Sequence, residues 1–165
     1  MADINQYLTF KLADELYAIN VSSIKEVLSV PKITRVPRMP AFMSGVINLR
    51  GNVVPVLDLK MKFALGSTLN TPDTSIIVTE IKDIFKDDET EHFTVGIFSD
   101  IVQKVVDLDS SMIEPPPKIG SPINTEFIVG MGRLEDVFVI ILNINKIISA
   151  DELLVASTEG EARND

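Results

Sequence analysis

Residues 42–63 read Phe-Met-Ser-Gly-Val-Ile-Asn-Leu-Arg-Gly-Asn-Val-Val-Pro-Val-Leu-Asp-Leu-Lys-Met-Lys-Phe. Two β-rich runs, Val46–Leu49 and Val53–Leu59, flank Gly51-Asn52, a dipeptide suited to the positive φ of a tight hairpin turn. The stretch predicts a β-hairpin with one cation, Arg50, at its turn.

Working outward, the rest of the chain repeats the pattern of short strands between turn residues. Leu8, Phe10 and Leu12 alternate with Tyr7, Thr9 and Lys11. Asp14-Glu15 then turns the chain into Leu16–Asn20, which predicts a first hairpin with one buried face. Further strands are expected at Ile33–Val36, Ser75–Ile81, Phe93–Ser99, Val102–Leu108, Phe127–Leu134 and Val137–Leu142. Helical signal is confined to Val21–Leu28, where Ile24, Val27 and Leu28 share a helical face and Asn20 or Ser23 can cap, and to Asn145–Ser149. Many short strands, nine prolines and little helix point to small barrels.

An internal echo predicts two barrels. At a constant offset of 85, Phe42, Gly45, Leu49, Leu57, Asp58 and Leu59 fall on Phe127, Gly130, Leu134, Leu142, Asn143 and Ile144. At an offset of 78, Tyr17-Ala18-Ile19 and Ile24–Leu28 fall on Val95-Gly96-Ile97 and Val102–Val106. A duplicated unit follows. Each copy has too little apolar surface to fold well alone, so the two are expected to share a core, with a subdomain boundary near residues 66–74.

Composition bounds the function. The 165 residues are 45% hydrophobic, enough for one domain or two intimately packed ones, and the net charge of −9 argues against nucleic acid as a partner. There is no cysteine, which removes disulfides and thiolate metal sites. The N-terminus lacks signal-peptide character and no apolar run reaches a membrane span of about 20 residues, so a soluble cytoplasmic protein without membrane insertion is expected. The charged segment Lys82–Glu91 is expected to be a solvated hairpin tip, Pro115-Pro116-Pro117 a stiff connector, and residues 154–165 a disordered tail.

Catalytic chemistry is missing from the pattern. The only histidine, His92, stands beside Glu91 at the charged tip without a pocket or fixed partner. Gly130-Met131-Gly132 is too short for a dinucleotide fingerprint, and the carboxylates lack metal-site spacing. No enzyme, cofactor or metal is expected; the function lies in a surface for partners. The competing class is a small-molecule-binding β-barrel.

The stretch 42–63 closely resembles the signature of the CheW family of chemotaxis coupling proteins. Tyr17-Ala18-Ile19, Ile24-Lys25-Glu26-Val27-Leu28, Ile33-Thr34-Arg35-Val36-Pro37, Val95-Gly96-Ile97, Ile113-Glu114-Pro115-Pro116-Pro117 and Phe127-Ile128-Val129-Gly130 extend the resemblance from Tyr7 to about Ala150. Two features depart from it: the long tip at 82–91, and Ala64 where the family commonly has glycine.

The resemblance implies a mainly β fold of two five-stranded SH3-like barrels around a shared hydrophobic core, with one or two short helices. It implies an adaptor that couples chemoreceptor hairpin tips to the regulatory domain of the histidine kinase CheA, recruited from the cytoplasm to membrane-associated receptor arrays. A CheW-like adaptor of a non-chemotactic kinase pathway fits the same residues. Carried over by position, Ile24, Glu26, Arg50, Gly96 and Val102 are receptor-facing, with Glu26 and Arg50 a charge pair. Gly45 and Gly130 support kinase binding indirectly, through the backbone.

Overall fold

The computed structural model describes residues 4–82, 92–116 and 127–147. Eleven strands among them form two sheets. Sheet I contains β3 (Ile24–Ser29), β4 (Met43–Leu49), β5 (Asn52–Leu57), β6 (Ser75–Lys82) and β7 (His92–Ser99), in the order β3-β6-β7-β5-β4. Sheet II contains β1 (Ile4–Leu12), β2 (Glu15–Asn20), β8 (Ile101–Asp109), β9 (Ile113–Glu114), β10 (Ile128–Leu134) and β11 (Val137–Leu142), in the order β8-β1-β2-β11-β10-β9.

The first five positions of sheet II repeat sheet I strand for strand. Each sheet has one parallel pair, and the pairs are register-equivalent: Val56 lies opposite Gly96 in sheet I, and Ile141 opposite Ala18 in sheet II. The sequence offsets of 85 and 78 connect these same positions. The mainly β, SH3-like, duplicated architecture is therefore as the sequence predicts, with one more strand in sheet II than expected, because the two-residue β9 pairs with β10.

Sheet I is continuous in the chain and sheet II is not. The N-terminal hairpin β1–β2 inserts between β8 and β11, so sheet II is assembled from both ends of the described chain. Residues 66–74, near which a boundary was expected, lie between β5 and β6 of sheet I. The halves meet instead between β2 and β3 and between β7 and β8.

Burial explains the arrangement. Ile47, Val54, Val56, Ile76, Val78 and Phe98 fill the interior of the first half, and Tyr7, Ala18, Leu108, Val139 and Ile141 that of the second. The largest cluster belongs to neither. It combines Leu8, Phe10, Leu12, Tyr17, Ile19, Ile128 and Leu142 from sheet II with Met43, Leu57, Ile77, Ile81, Val95 and Ile97 from sheet I. Each sheet is thus apolar on both faces, so β1 buries Tyr7 and Thr9 as well as Leu8, Phe10 and Leu12, where one buried face was expected.

Local chemistry shifts several other elements. Val21–Leu28 is a 3₁₀ turn at Val21–Ser23 followed by strand β3, because pairing with β6 overrides the helical spacing. Asn20 does cap that turn, accepting from the Ser22 amide. The strand expected at Ile33–Val36 reduces to one bridge, Thr34 with Val46. The run expected to continue to Leu59 ends at Leu57, where Asp58 caps a one-turn helix, α1 (Leu59–Lys62), by accepting from the Lys60 amide. Asn143, its equivalent, caps a 3₁₀ turn at Ile144–Lys146, and the helix expected at Asn145–Ser149 lies partly outside the described residues.

The one-turn helix α1 sits between the halves. Leu59 and Phe63 enter the shared core, while the Lys62 ammonium lies 4.1 Å from the ring centre of Phe42 and 5.3 Å from that of Phe127, the duplicated phenylalanines. Lys60 reaches Asp100 at 3.2 Å, and the same carboxylate accepts from the Ala13 amide in the β1–β2 turn. Ala64 follows with φ 60°, left-handed backbone that glycine adopts without strain. The expected tip at Lys82–Glu91 beyond Lys82 itself, the end of the Pro115–Pro117 connector and the tail at 154–165 lie outside the described residues.

Candidate partner-binding surface

The β4–β5 hairpin turns on Arg50-Gly51, with φ 51° and 87°; Gly51-Asn52 was expected, but Asn52 already pairs with Leu49. Two successive positive φ values match a primed turn, which suits the twist of antiparallel strands. The Asn48 carboxamide accepts from the Gly51 amide at 2.8 Å and fixes the corner. Arg50 is thereby projected outward, with 69% of its side chain exposed, and its guanidinium meets the Glu26 carboxylate at 2.6 Å.

The ion pair bridges the open sheet. β3 and β4 are the two end strands of sheet I, so Glu26 and Arg50 link its extremes at the mouth of the first half. A β-bulge between Ile24 and Glu26 sets the geometry. It places Glu26 opposite Val78, on the interior face with Leu28, and leaves Ile24 opposite Thr79 and Val27 opposite Ile77, on the shared-core face. Ile24, Val27 and Leu28 therefore do not share one face. With Arg50 so exposed, the pair contributes only about 0–1 kcal/mol to stability.

Ile24 and Val102 occupy equivalent points on the end strands β3 and β8, and both pack half-buried against the shared core. One turn of sequence further along, Val27 and Val105 are 43% and 50% exposed. Sequence inspection passed over these two valines, although the offset of 78 that paired Ile24 with Val102 also pairs them. Gly96 does not join this strip. It is buried in β7, and a Cβ there would approach the Ile76 Cγ2 to 2.7 Å, so its smallness serves the interior of the first half and offers no surface to a partner.

Gly45 and Gly130 are both explained by close backbone approach. A Cβ on Gly45 would stand 2.4 Å from the Thr34 carbonyl oxygen, and one on Gly130 would stand 2.7 Å from that of Glu114. Gly45 also has φ 149°. Each lies at a bulge in its hairpin, where the strand meets a third segment. Among the described residues no group of three or more histidine, aspartate or glutamate side chains converges as a metal site, and no helix is long and apolar enough to cross a membrane.

Residues 6–152 match the model of the CheW-like domain. The chain belongs to the CheW-like family. It is 32% identical to the chemotaxis protein CheW of Klebsiella aerogenes over 90% of this chain and 84% of that protein, and 32% identical to CheW of Helicobacter pylori with the same coverage. The crystal structure of the scaffolding protein TtCheW from Thermoanaerobacter tengcongensis superposes with a TM-score of 0.79, at 32% identity, over 92% of this chain and 94% of that one. Family membership makes the chain a chemotaxis coupling adaptor.

Proposed function

We propose that this chain is a non-catalytic scaffold that couples chemoreceptors to the histidine kinase CheA, holding the receptor's helical hairpin tip on the strip formed by Ile24, Val27, Val102 and Val105 beside the Glu26–Arg50 pair. Half-exposed valines flanking partly buried apolar residues suit the apolar face of a helix. The kinase regulatory domain is assigned to the ends of the half-barrels, whose shape depends on the clearances at Gly45 and Gly130. The scaffold works from the cytoplasm, at membrane-associated receptor arrays. A small-molecule barrel is disfavoured because each half is filled by its own side chains.

The observation that carries this reading is the ion pair at 2.6 Å between two separate segments, which adds little stability yet fixes an exposed guanidinium at the rim of an apolar strip. Arg50→Glu is expected to weaken binding to a chemoreceptor hairpin fragment at least tenfold, and kinase activation in reconstituted arrays with it, while unfolding shifts by less than about 1 kcal/mol. Glu26→Arg combined with Arg50→Glu is expected to recover part of the loss. Unchanged receptor binding by Arg50→Glu would overturn the assignment.

A further inference from the structure

The two sheets are separate hydrogen-bonded systems that pack on each other through the shared core. The chain passes between them at two crossings: Val21–Ser23, between β2 and β3, and Asp100, between β7 and β8. The duplication makes these crossings equivalent. The offset of 78 puts Ser22 on Asp100, and the offset of 85 puts Lys60 on Asn145. Lys60 and Asn145 each donate their amide to the cap two residues back, Asp58 or Asn143.

The chemistry of the two crossings differs. Asp100 is fastened from both sides: its carboxylate takes the Lys60 ammonium of the first half at 3.2 Å and the Ala13 amide of the second at 2.8 Å, and its own amide donates to the Lys11 carbonyl at 3.0 Å. Among the described residues every hydrogen bond that joins the two halves runs through this one residue. At the other crossing the Ser22 amide donates only to Asn20, and among the described residues no side chain of Val21–Ser23 bonds to Asn145 or to sheet I. In the place where Lys60 and Asp100 meet in the first half, the second has a cleft of about 180 Å³ bordered by Asn20, Ser22, Asn143 and Asn145.

Hydrophobic packing across the shared core is not directional, so it holds the separation of the sheets more firmly than their angle. Hydrogen bonds and ion pairs do fix angles. With side chains 14% and 28% exposed, Lys60 and Asp100 are less screened by water than Arg50 at 69%, so their attraction is a firmer restraint than the Glu26–Arg50 pair. One firm polar anchor and one loose crossing define an axis. A small rotation of one sheet over the other leaves Asp100 in place and displaces Val21–Ser23, where the cleft gives room that a close-packed turn would not.

We propose that Asp100 and Lys60 form a built-in pivot between the halves, and that the protein adjusts the angle between its two sheets by movement at the Val21–Ser23 crossing. The pivot belongs to the scaffold itself and is independent of where the receptor lies. Transplanting the ion pair tests it, since Ser22→Asp with Asn145→Lys gives the second crossing the chemistry of the first. The chain has no cysteine, so spin labels can be attached at Val53→Cys and Val137→Cys, exposed positions in different halves. Double electron–electron resonance is expected to give a broad distance distribution in the labelled parent and a roughly twofold narrower one in the transplanted variant. Lys60→Met, which frees one side of Asp100, is expected to broaden the distribution beyond that of the parent. Thr9→Val, a destabilising change confined to sheet II, is the control and is expected to leave the width unaltered. A parent distribution already as narrow as that of the transplanted variant would overturn the pivot, as would Lys60→Met leaving the width unchanged or Thr9→Val broadening it equally. Should the transplanted variant fail to fold, Lys60→Met against Thr9→Val decides alone.

Discussion

The two halves of this molecule share a strand order and a pattern of bulges, but they differ in how each ends and in what each buries. In sheet I the outer side of β4 is met by a single bridge at Thr34; in sheet II the same position has become a two-residue strand, with Glu114 ion-paired to Arg133. Where the first half buries Gly96 against Ile76, the second has Ala18. After β5 the chain forms α1, and after β11 only a 3₁₀ turn. Constraints on the backbone are held in common: glycine at both close approaches and a carboxyl or carboxamide cap at both strand exits. Charges and side-chain volumes have diverged. The fold is set by the first group of features, and the surface chemistry by the second.

The comparison is broken most directly at the paired glycines. Gly45→Ala is expected to cost about 3 kcal/mol, because the methyl meets a carbonyl whose residue is bonded to Val46 through both its amide and its oxygen, and because φ 149° is strained for alanine. Gly130→Ala is expected to cost about half as much. Its obstacle is Glu114 on a two-residue end strand that can withdraw, and its φ is not positive. Denaturant melts of the two variants check the ratio; equal costs would mean that β9 is as firmly held as the Thr34 bridge.

A smaller effect is expected at the β1–β8 bulge. Thr9→Val removes the hydroxyl that satisfies the amide and carbonyl of Lys104 and is expected to cost about 1–2 kcal/mol. Valine is already the residue at the equivalent position in sheet I, Val78 opposite Glu26, so the fold itself tolerates the shape. Amide exchange at Lys104 distinguishes the outcomes: protection lost there with little change in β6–β7 confirms a local origin, and unaltered protection refutes it.

The smallest effect is spectroscopic. Both tyrosines of the chain lie in sheet II and there is no tryptophan, so an ultraviolet titration reads that half alone. Burial, and secondarily the Glu15 carboxylate, pushes Tyr17 up to about 12, and burial raises Tyr7 too. A raised folded value means that the neutral phenol is favoured in the native state. The stabilisation is therefore complete below the ordinary value of about 10 and is lost as pH climbs toward 12. Tyrosinate absorbance is expected to lag behind that of free tyrosine; full titration near pH 10 with the fold intact would show that the shared core does not cover Tyr17.

What could be read from the sequence was whatever the backbone repeats. The offsets of 85 and 78 joined true structural equivalents because bulges, parallel pairs and caps occur at matched positions in both copies. The Val21–Leu28 segment misled because the bulge at Lys25 breaks strand alternation, so its apolar spacing imitates a helix. α1 was hidden because its single turn, Leu-Lys-Met-Lys, is too short to show a helical period, and Gly96 was given a receptor-facing place by the resemblance because its burial against Ile76 leaves no local mark in the sequence. Of the site, the Arg50 turn was legible from turn chemistry and its partner Glu26 from family resemblance. Val27 and Val105 are paired by the same offset of 78, but their exposure on the two end strands shows only in the structure.

The insertion of β1–β2 into sheet II also orders the birth of the protein. All five strands of sheet I are contiguous and can pair as they leave the ribosome, whereas the first hairpin made must wait for β8, with Thr9 and Lys104 separated by 95 residues. Until then β1 presents an open strand edge and two apolar faces, the kind of surface on which nascent chains aggregate. The first half, once assembled, offers the shared-core face against which that hairpin can shelter, so the contiguous copy serves as an internal template for its discontinuous twin.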